Sequence, residues 1–370
     1  GGVLRASGGT LTLAGAWSNS GAIQVSGGVL NLGGTFSDAA FTTFARSGGT
    51  VNLTGTLTNT GNTLDIGNAG LFGTGGLNSF SGTIIGGTLI NADAAATLTS
   101  SNGTLDTVTL GSSLILNGTL RINNTVTGNA LTLGNGVTFN IGANSLLFQS
   151  GGVQHIATLG TSTISMAGGA FTAGFNVQGQ TLQIDTGVTV RGFGAFNQSS
   201  PATIINNGSI ISNAATQTFT INPSVFTNSG TMSVSAGTLT ISAATFTNSS
   251  TLTISGGTLT IGSANWNNAT GTLNIQAGTV NLGGLLPNLG TFNRTAGSVV
   301  NVTGTLNNTG NTLNIGSAGV FGPGGLNSLS GTIIGGTLIS GDGTALNVSG
   351  AGALDTVTLG SSLILNGTLR

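Results

Sequence analysis

The chain has 370 residues, of which 67 are glycine and only 4% are charged, and its formal net charge is −1. Lysine, glutamate, tyrosine and cysteine are all absent. An average soluble domain has about 25% charged residues. This composition excludes a basic nucleic-acid face, an anionic-membrane patch, disulfides and thiolate metal sites. No apolar run approaches the ~18 residues of a membrane-spanning helix, so we expect no membrane insertion.

A long repeat organises the sequence. The stretch from Leu105 to Arg121 recurs unchanged from Leu354 to Arg370, 249 positions later, and Trp17 and Trp266 share the same offset. The sequence therefore predicts about one and a half copies of a long unit, with residues 49–121 repeated at 298–370. Because the second copy stops at Arg370, we expect a longer tandem array in the parent protein and end-to-end association between copies.

The middle of the chain is less regular. Residues 130–225 include Pro201 and Pro223, and proline cannot donate to a central strand ladder. We expect a bulge or protruding loop near 191–203. No composition shift marks a linker, so the sequence predicts one continuous solenoid over 1–370.

A shorter repeat of twenty residues lies inside the long one. Asparagine recurs at this spacing, at Asn228, Asn248, Asn268, Asn288 and Asn308. Two positions before each asparagine lies a large apolar residue, at Phe226, Phe246, Trp266, Leu286 and Leu306. Within one period, residues 231–234 and 238–241 alternate polar and apolar side chains, which predicts half-buried strands. Glycine and asparagine suit the corners between them, and no sustained helical pattern occurs.

Stacked twenty-residue units of this kind form a β-helix. The predicted fold is all-β, a single right-handed parallel β-helix of roughly 18 coils at about 4.8 Å per coil. Inward apolar residues form columns, and corner asparagines form an amide ladder. We expect Phe226, Phe246 and Trp266 to stack inside; facing outward, they would instead form a carbohydrate-binding strip.

The segment F-T-N-S-G-T-M-S-V-S-A-G-T-L-T-I, from Phe226 to Ile241, resembles the repeats of filamentous-haemagglutinin-type adhesins and autotransporter passengers. G-G-T-L-T-L from Gly8 has the same form. The resemblance implies a right-handed β-helix, export to the bacterial surface or beyond, and a role as a fibre or stalk in adhesion or matrix building. Cell-surface glycans or neighbouring cells would be its partners, and no binding residue can be carried over.

The residues that could carry chemistry are few. A glycosidase needs two carboxylates across one bond, and Asp93 and Asp106, the closest pair in sequence, are thirteen residues apart and so fall on different faces. His155 is the only histidine and has no nearby acid in sequence, which argues against a triad or a zinc site. Gly73–Gly76 lacks the lysine and helix of a phosphate loop. We therefore expect no enzyme activity, no metal and no cofactor.

Two alternatives remain open. Some β-helices bind or degrade polysaccharides. Others bind ice through regular T-x-T arrays, and Thr238/Thr240 and Thr258/Thr260 follow that pattern until Thr279/Asn281 interrupts it.

Overall fold

The computed structural model describes residues 2–93, 96–125, 128–168 and 173–370. The chain divides into two compact units, the first comprising residues 2–168 and 173–190 and the second residues 191–370. In the described ranges one short 3₁₀ helix (Asp38–Phe41) is the only helix, and none is long and apolar enough to cross a bilayer.

The strands of the first unit are short, mostly three to five residues. They are β1 (Val3–Ala6), β2 (Thr10–Leu13), β3 (Ala22–Val25), β4 (Val29–Leu32), β5 (Thr35–Ser37), β6 (Thr43–Arg46), β7 (Thr50–Leu53), β8 (Thr56–Thr58), β9 (Thr63–Asp65), β10 (Ser79–Phe80), β11 (Thr83–Ile85), β12 (Thr88–Ile90), β13 (Thr97–Asp106), β14 (Val108–Leu110), β15 (Leu114–Asn123), β16 (Leu131–Leu133), β17 (Thr138–Gly142), β18 (Ser145–Phe148), β19 (Val153–Thr158), β20 (Ser162–Ala167), β21 (Gly174–Gln178) and β22 (Thr181–Ile184).

Strand β23 (Val188–Ser200) contains the point in the chain at which the units divide. The second unit continues with β24 (Thr203–Asn206), β25 (Ser209–Ser212), β26 (Thr218–Ile221), β27 (Val225–Asn228), β28 (Thr231–Val234), β29 (Thr238–Ile241), β30 (Thr245–Asn248), β31 (Thr251–Ile254), β32 (Thr258–Ile261), β33 (Asn265–Asn267), β34 (Thr272–Ile275), β35 (Thr279–Leu282), β36 (Leu285–Leu286), β37 (Thr291–Arg294), β38 (Val299–Val302), β39 (Thr305–Asn307), β40 (Thr312–Asn314), β41 (Ser328–Leu329), β42 (Thr332–Ile334), β43 (Thr337–Ile339), β44 (Leu346–Asn347), β45 (Ala353–Asp355), β46 (Thr358–Leu359) and β47 (Leu365–Asn366).

Each unit is a parallel β-solenoid. One turn takes about 21 residues, and the described residues make about 17 turns, close to the predicted twenty residues and 18 coils. In the second unit β27, β28 and β29 form one turn, and each pairs in parallel with the strand that follows it one turn later, β30, β31 or β32. The predicted all-β parallel solenoid is confirmed.

The second unit has three columns of paired strands where it is most regular. They run β24–β27–β30–β33, β25–β28–β31–β34–β37 and β26–β29–β32–β35–β38. Four-residue strands here alternate half-exposed and buried side chains, as in β29 and β32. Leu239, Ile241, Leu259 and Ile261 are fully buried, so the core is a set of vertical apolar columns.

The first unit departs from this pattern at two long strands. β13 and β15 have ten residues each and run through the corner that elsewhere separates two strands. A register shift between Ser101 and Gly103 accompanies this continuity. Thr107, directly after β13, has φ of 58°, a left-handed conformation that is unusual for a β-branched residue and turns the chain sharply into β14.

The sequence predicted a bulge or protruding loop near 191–203, and most of this segment belongs to a long strand. β23 continues to Ser200, and the chain bends at Pro201 before β24 begins. Gly192 and Gly194 have φ of 112° and 142°, which lets a long strand bend without leaving the sheet.

Candidate functional site

The three aromatic residues of the twenty-residue repeat lie inside the solenoid. Phe226, Phe246 and Trp266 are fully buried and pair in register. The rings of Phe226 and Phe246 stack, with centroids 5.4 Å apart and an interplanar angle of 15°. They therefore belong to the core and offer no outward strip on which a sugar ring could stack.

A buried amide ladder runs beside the aromatic column. The side-chain Nδ2 of Asn206 donates to Oδ1 of Asn228, Asn228 donates to Asn248, and Asn248 donates to Asn268, each at 2.7 Å. All four asparagines are at most 1% exposed. The ladder includes three of the five asparagines named from the sequence. Asn206, 22 residues before Asn228, lies outside the twenty-residue spacing and was missed.

Asn288 and Asn308 do not join this ladder, which corrects the sequence-based set. Trp266 and Thr272 are six positions apart, whereas the corresponding residues of the two preceding turns, such as Phe246 and Thr251, are five apart. With the extra residue after Trp266, Asn288 lies opposite Asn267 rather than Asn268 and is exposed, and the amide of Asn268 donates to the main-chain carbonyl of Leu289 instead. Asn308 is buried but donates to main-chain carbonyls, that of Asn311 at 3.2 Å among them.

A second, outward ladder occurs in both units. In the second unit Asn301 Nδ2 donates to Asn281 Oδ1 at 2.9 Å, and Asn281 donates to Thr260 Oγ1 at 3.4 Å. In the first unit Asn52, Asn31 and Thr12 repeat the arrangement at 2.9 and 3.3 Å. Along this column, the threonines of the T-x-T pattern are therefore followed by asparagines whose side chains continue the hydrogen bonding from turn to turn.

Each unit also has a loop fastened by an arginine, here called the arginine-held loop. In the second unit this loop spans residues 315–327. Arg294, which precedes the loop and is 8% exposed, donates to the carbonyls of Phe321 and Gly325 in the loop and to that of Ser298. Arg294 also donates to Oδ1 of Asn327 and, through Nε, to the Ser298 hydroxyl at 3.0 Å. Burial lowers the pKa of the Arg294 guanidinium from its ordinary value.

The arginine-held loop of the first unit spans residues 66–78. Arg46 donates to the carbonyls of Gly76 at 2.6 Å and Gly49 at 2.7 Å, and to Oδ1 of Asn78 at 2.7 Å. Desolvation by burial lowers the pKa of this guanidinium as well. The glycine-rich segment Gly73–Gly76, which the sequence distinguished from a phosphate loop, thus lies in a loop that surrounds the Arg46 guanidinium.

The aspartates fasten main-chain groups. Asp93 accepts hydrogen bonds from the amide N–H of Asn68, at 3.1 Å, and from its side chain, at 2.9 Å. Asp342 does the same for the second arginine-held loop, accepting from the Ser317 N–H at 2.8 Å and from the Thr344 hydroxyl at 2.7 Å. The Thr344 hydroxyl, followed by the N–H groups of Ser317 and Thr344, holds the pKa of the Asp342 carboxyl well below its usual range.

Asp93 also borders a surface cavity of about 390 Å³ in the first unit. The other polar side chains around it come from Asn91, Ser112, Ser113, Thr138 and Asn140. Asp93 is the single carboxylate among the described residues of this lining. Asp106 lies elsewhere, 3% exposed, and accepts from the Thr125 N–H at 2.9 Å. The two aspartates do not face each other across this cavity.

His155 has an acidic partner that the sequence did not indicate. Its Nδ1 lies 3.0 Å from Oδ1 of Asp185, which also accepts from the Gln183 side chain at 2.7 Å. The separation of thirty residues exceeds one ordinary turn because the turns here are longer. Among the described residues no three His, Cys, Asp or Glu side chains group together to hold a metal ion.

Comparisons with protein-family models, with curated proteins and with solved structures found no match to this chain.

Replacing Asn248 by alanine tests the buried ladder. The Asn248→Ala change leaves Asn228 Nδ2 without an acceptor and Asn268 Oδ1 without its donor. Because each of the two unsatisfied buried groups costs about 1–3 kcal/mol, we expect a loss of about 2–6 kcal/mol in the free energy of unfolding, measured by urea denaturation. Asn288→Ala is the matched control, and its exposed side chain should cost less than about 1 kcal/mol. Equal losses for the two variants would contradict the ladder.

Replacing Arg294 by methionine tests the second arginine-held loop. Arg294→Met leaves buried carbonyls without donors, so amides in 315–327 should exchange with deuterium at least tenfold faster, while those in 252–261 stay protected. Arg294→Lys keeps the charge but not the planar fork and should give an intermediate rate. Arg121→Met, which removes one exposed bond to the Asn102 carbonyl, should leave exchange in 315–327 unchanged. Unchanged slow exchange of residues 315–327 in Arg294→Met would contradict this prediction, since the loop would then be stable without the arginine.

The lowered pKa of Asp342 predicts an acid-sensitive contact. The folded state favours the carboxylate, so its stabilising effect is complete above the ordinary Asp pKa of about 3.9 and is lost as pH falls below it. The melting temperature of the wild type should exceed that of Asp342→Asn by a constant margin from about pH 5 to 8, and the margin should shrink below about pH 4. A difference in melting temperature that grows as the pH falls would contradict the lowered pKa of Asp342.

Proposed function

We propose that this chain is a non-catalytic structural or adhesive segment of a large secreted or surface-anchored bacterial repeat protein. The observation that carries the proposal is the direct register of nearly identical turns, in which Phe226 pairs with Phe246 and Leu239 with Leu259. Such stacking extends by repetition without any new tertiary contact, since each turn contacts only its neighbours. A protein built this way supplies length and surface.

A non-catalytic role is supported by what the acidic groups do. Asp93, Asp106 and Asp342 accept hydrogen bonds from main-chain N–H groups and neighbouring side chains. Each therefore has a structural task in fastening a loop or a corner. Hydrolysis of a glycosidic bond in most glycosidases needs two carboxylates that flank the same bond.

Extracellular or cell-surface placement is supported by composition and by the repeat resemblance. The chain lacks cysteine and lysine and has 4% charged residues, so oxidation and salt have few groups to act on. As partners we propose further copies of the same repeat, together with cell-surface glycans or the surfaces of neighbouring or host cells.

The experiment combines location with activity. Antibodies against the purified chain should label intact, unpermeabilised cells of the bacterium that carries the gene. The chain should bind such cells or a glycan array and should release no reducing ends from neutral or acidic polysaccharides. Turnover that disappears in Asp106→Asn would overturn the non-catalytic role, and labelling confined to lysed cells would overturn the placement.

A further inference from the structure

The most regular part of the second unit has no ionisable side chain. Residues 192–293, between Arg191 and Arg294, contain no aspartate, glutamate, lysine, arginine or histidine. Whatever contacts this surface is therefore neither attracted nor repelled by fixed charge, and the contact should be nearly independent of ionic strength. Acidic polysaccharides, nucleic acids and anionic membranes find no complementary charge here.

The outward side of one strand column forms a regular grid of threonines. It consists of Thr218 and Thr220 on β26, Thr238 and Thr240 on β29, and Thr258 and Thr260 on β32; we call this the threonine face. Thr218 pairs with Thr238, which pairs in turn with Thr258. Thr220, Thr240 and Thr260 follow one another in the same register. All six side chains are half-buried.

The hydroxyl groups of the threonine face are available for an external partner. Thr260 accepts from Asn281. The other five make no hydrogen bond with other groups in the described part of the chain. The other two columns of the same turns are mixed on their outward side. One has Val225 and Thr227 on β27 and Asn265 and Asn267 on β33. The other has Ser209 and Ile211 on β25, Thr231 and Ser233 on β28, Thr251 and Thr253 on β31, and Thr272 and Asn274 on β34. A grid of one residue type is thus confined to specific faces of the solenoid.

The spacing of the threonine face selects a periodic partner. Neighbouring rows lie about 4.8 Å apart across the strands, and residues two apart on a strand are separated by about 6.6 Å. Each hydroxyl contact replaces one to water and has a small net value, so only a partner that matches many positions at once gains stability. A soluble sugar gains little, because the aromatic rings that would stack on it are buried. An identical face has the same two spacings by construction.

We propose that the threonine face is a self-association surface on which a second copy of this chain packs side to side. The two faces meet around a two-fold axis, so that each threonine row lies against a threonine row of the partner copy. Methyl groups interdigitate and hydroxyls pair, as in dry interfaces between sheets, and no like charges oppose the approach. This inference rests on the proposed structural role and names the partner and the surface for it.

The size of the face sets the strength of the contact. Three strands at about 4.8 Å and four residues at about 3.3 Å cover roughly 190 Å² per copy. This is below the ~800 Å² per partner of stable specific interfaces, so a single pair of faces gives a weak, reversible contact. Contacts of this kind strengthen steeply when several faces on one long molecule engage together. Lateral bundling in arrays is the expected consequence.

Single cysteines test the geometry, because the chain has none of its own. Thr240→Cys places a thiol within the threonine face, and Thr247→Cys places one on β30 in the mixed column, with similar burial. A bismaleimide with a span of about 10 Å matches the separation of packed sheets. In purified full chain at equal concentration we expect Thr240→Cys to form cross-linked dimer at least tenfold faster than Thr247→Cys, at low and high salt alike.

A second variant separates a specific contact from collision. Thr240→Cys combined with Thr238→Asp sets charges against each other in the packed faces, so cross-linking should fall to the Thr247→Cys rate while circular dichroism stays unchanged. Equal cross-linking rates for Thr240→Cys and Thr247→Cys would overturn the proposal. Thermal hysteresis of the protein solution without preferential cross-linking would also overturn it and would assign the threonine face to ice binding. Because the assay needs neither export nor adhesion, it can fail while the proposed function stands, and surface labelling can fail while it succeeds.

Discussion

Hydrogen bonds between consecutive turns govern every other feature of this molecule. In a parallel solenoid the main-chain N–H and C=O groups of one turn bond to the next turn, which places equivalent residues directly above one another. A leucine therefore meets a leucine, as Leu239 meets Leu259, and an asparagine meets an asparagine, as Asn228 meets Asn248. A lone turn would bury too little apolar surface to offset the entropy of ordering its residues. Stability comes from neighbours that share both the ladder and the core.

Strict register also makes the molecule sensitive to single-residue changes in turn length. One extra residue between Trp266 and Thr272 accompanies a shift in pairing that places Asn288 opposite the exposed Asn267 instead of the buried Asn268. Longer excursions need separate fastening, and the two arginine-held loops supply it with Arg46 and Arg294. A guanidinium suits this task because its five donors reach several carbonyls at once. Two of the six arginines of the chain thus stabilise loops that interrupt the regular turns.

The sequence predicted the features that repeat and missed those that do not. Alternation and the twenty-residue period indicated the strands, the inward side chains and the internal position of Phe226, because each depends on spacing alone. The partners of Arg294 are main-chain carbonyls, which leave no trace in residue types. His155 and Asp185 lie thirty residues apart, and Asn206 precedes Asn228 by 22, so neither separation matches the period. Turn length varies with local insertions that only the folded register makes visible.

The absence of ionisable groups from 192–293 has a consequence for durability outside a cell. Proteases of the trypsin type cut after lysine or arginine, and those that cut beside acidic residues need aspartate or glutamate. Neither class finds a recognition residue in this stretch. The arginine that closes it, Arg294, is enclosed by the arginine-held loop and is 8% exposed. Such a segment would resist these two classes of protease. Its lifetime would then depend on enzymes that recognise apolar side chains, most of which lie in the core.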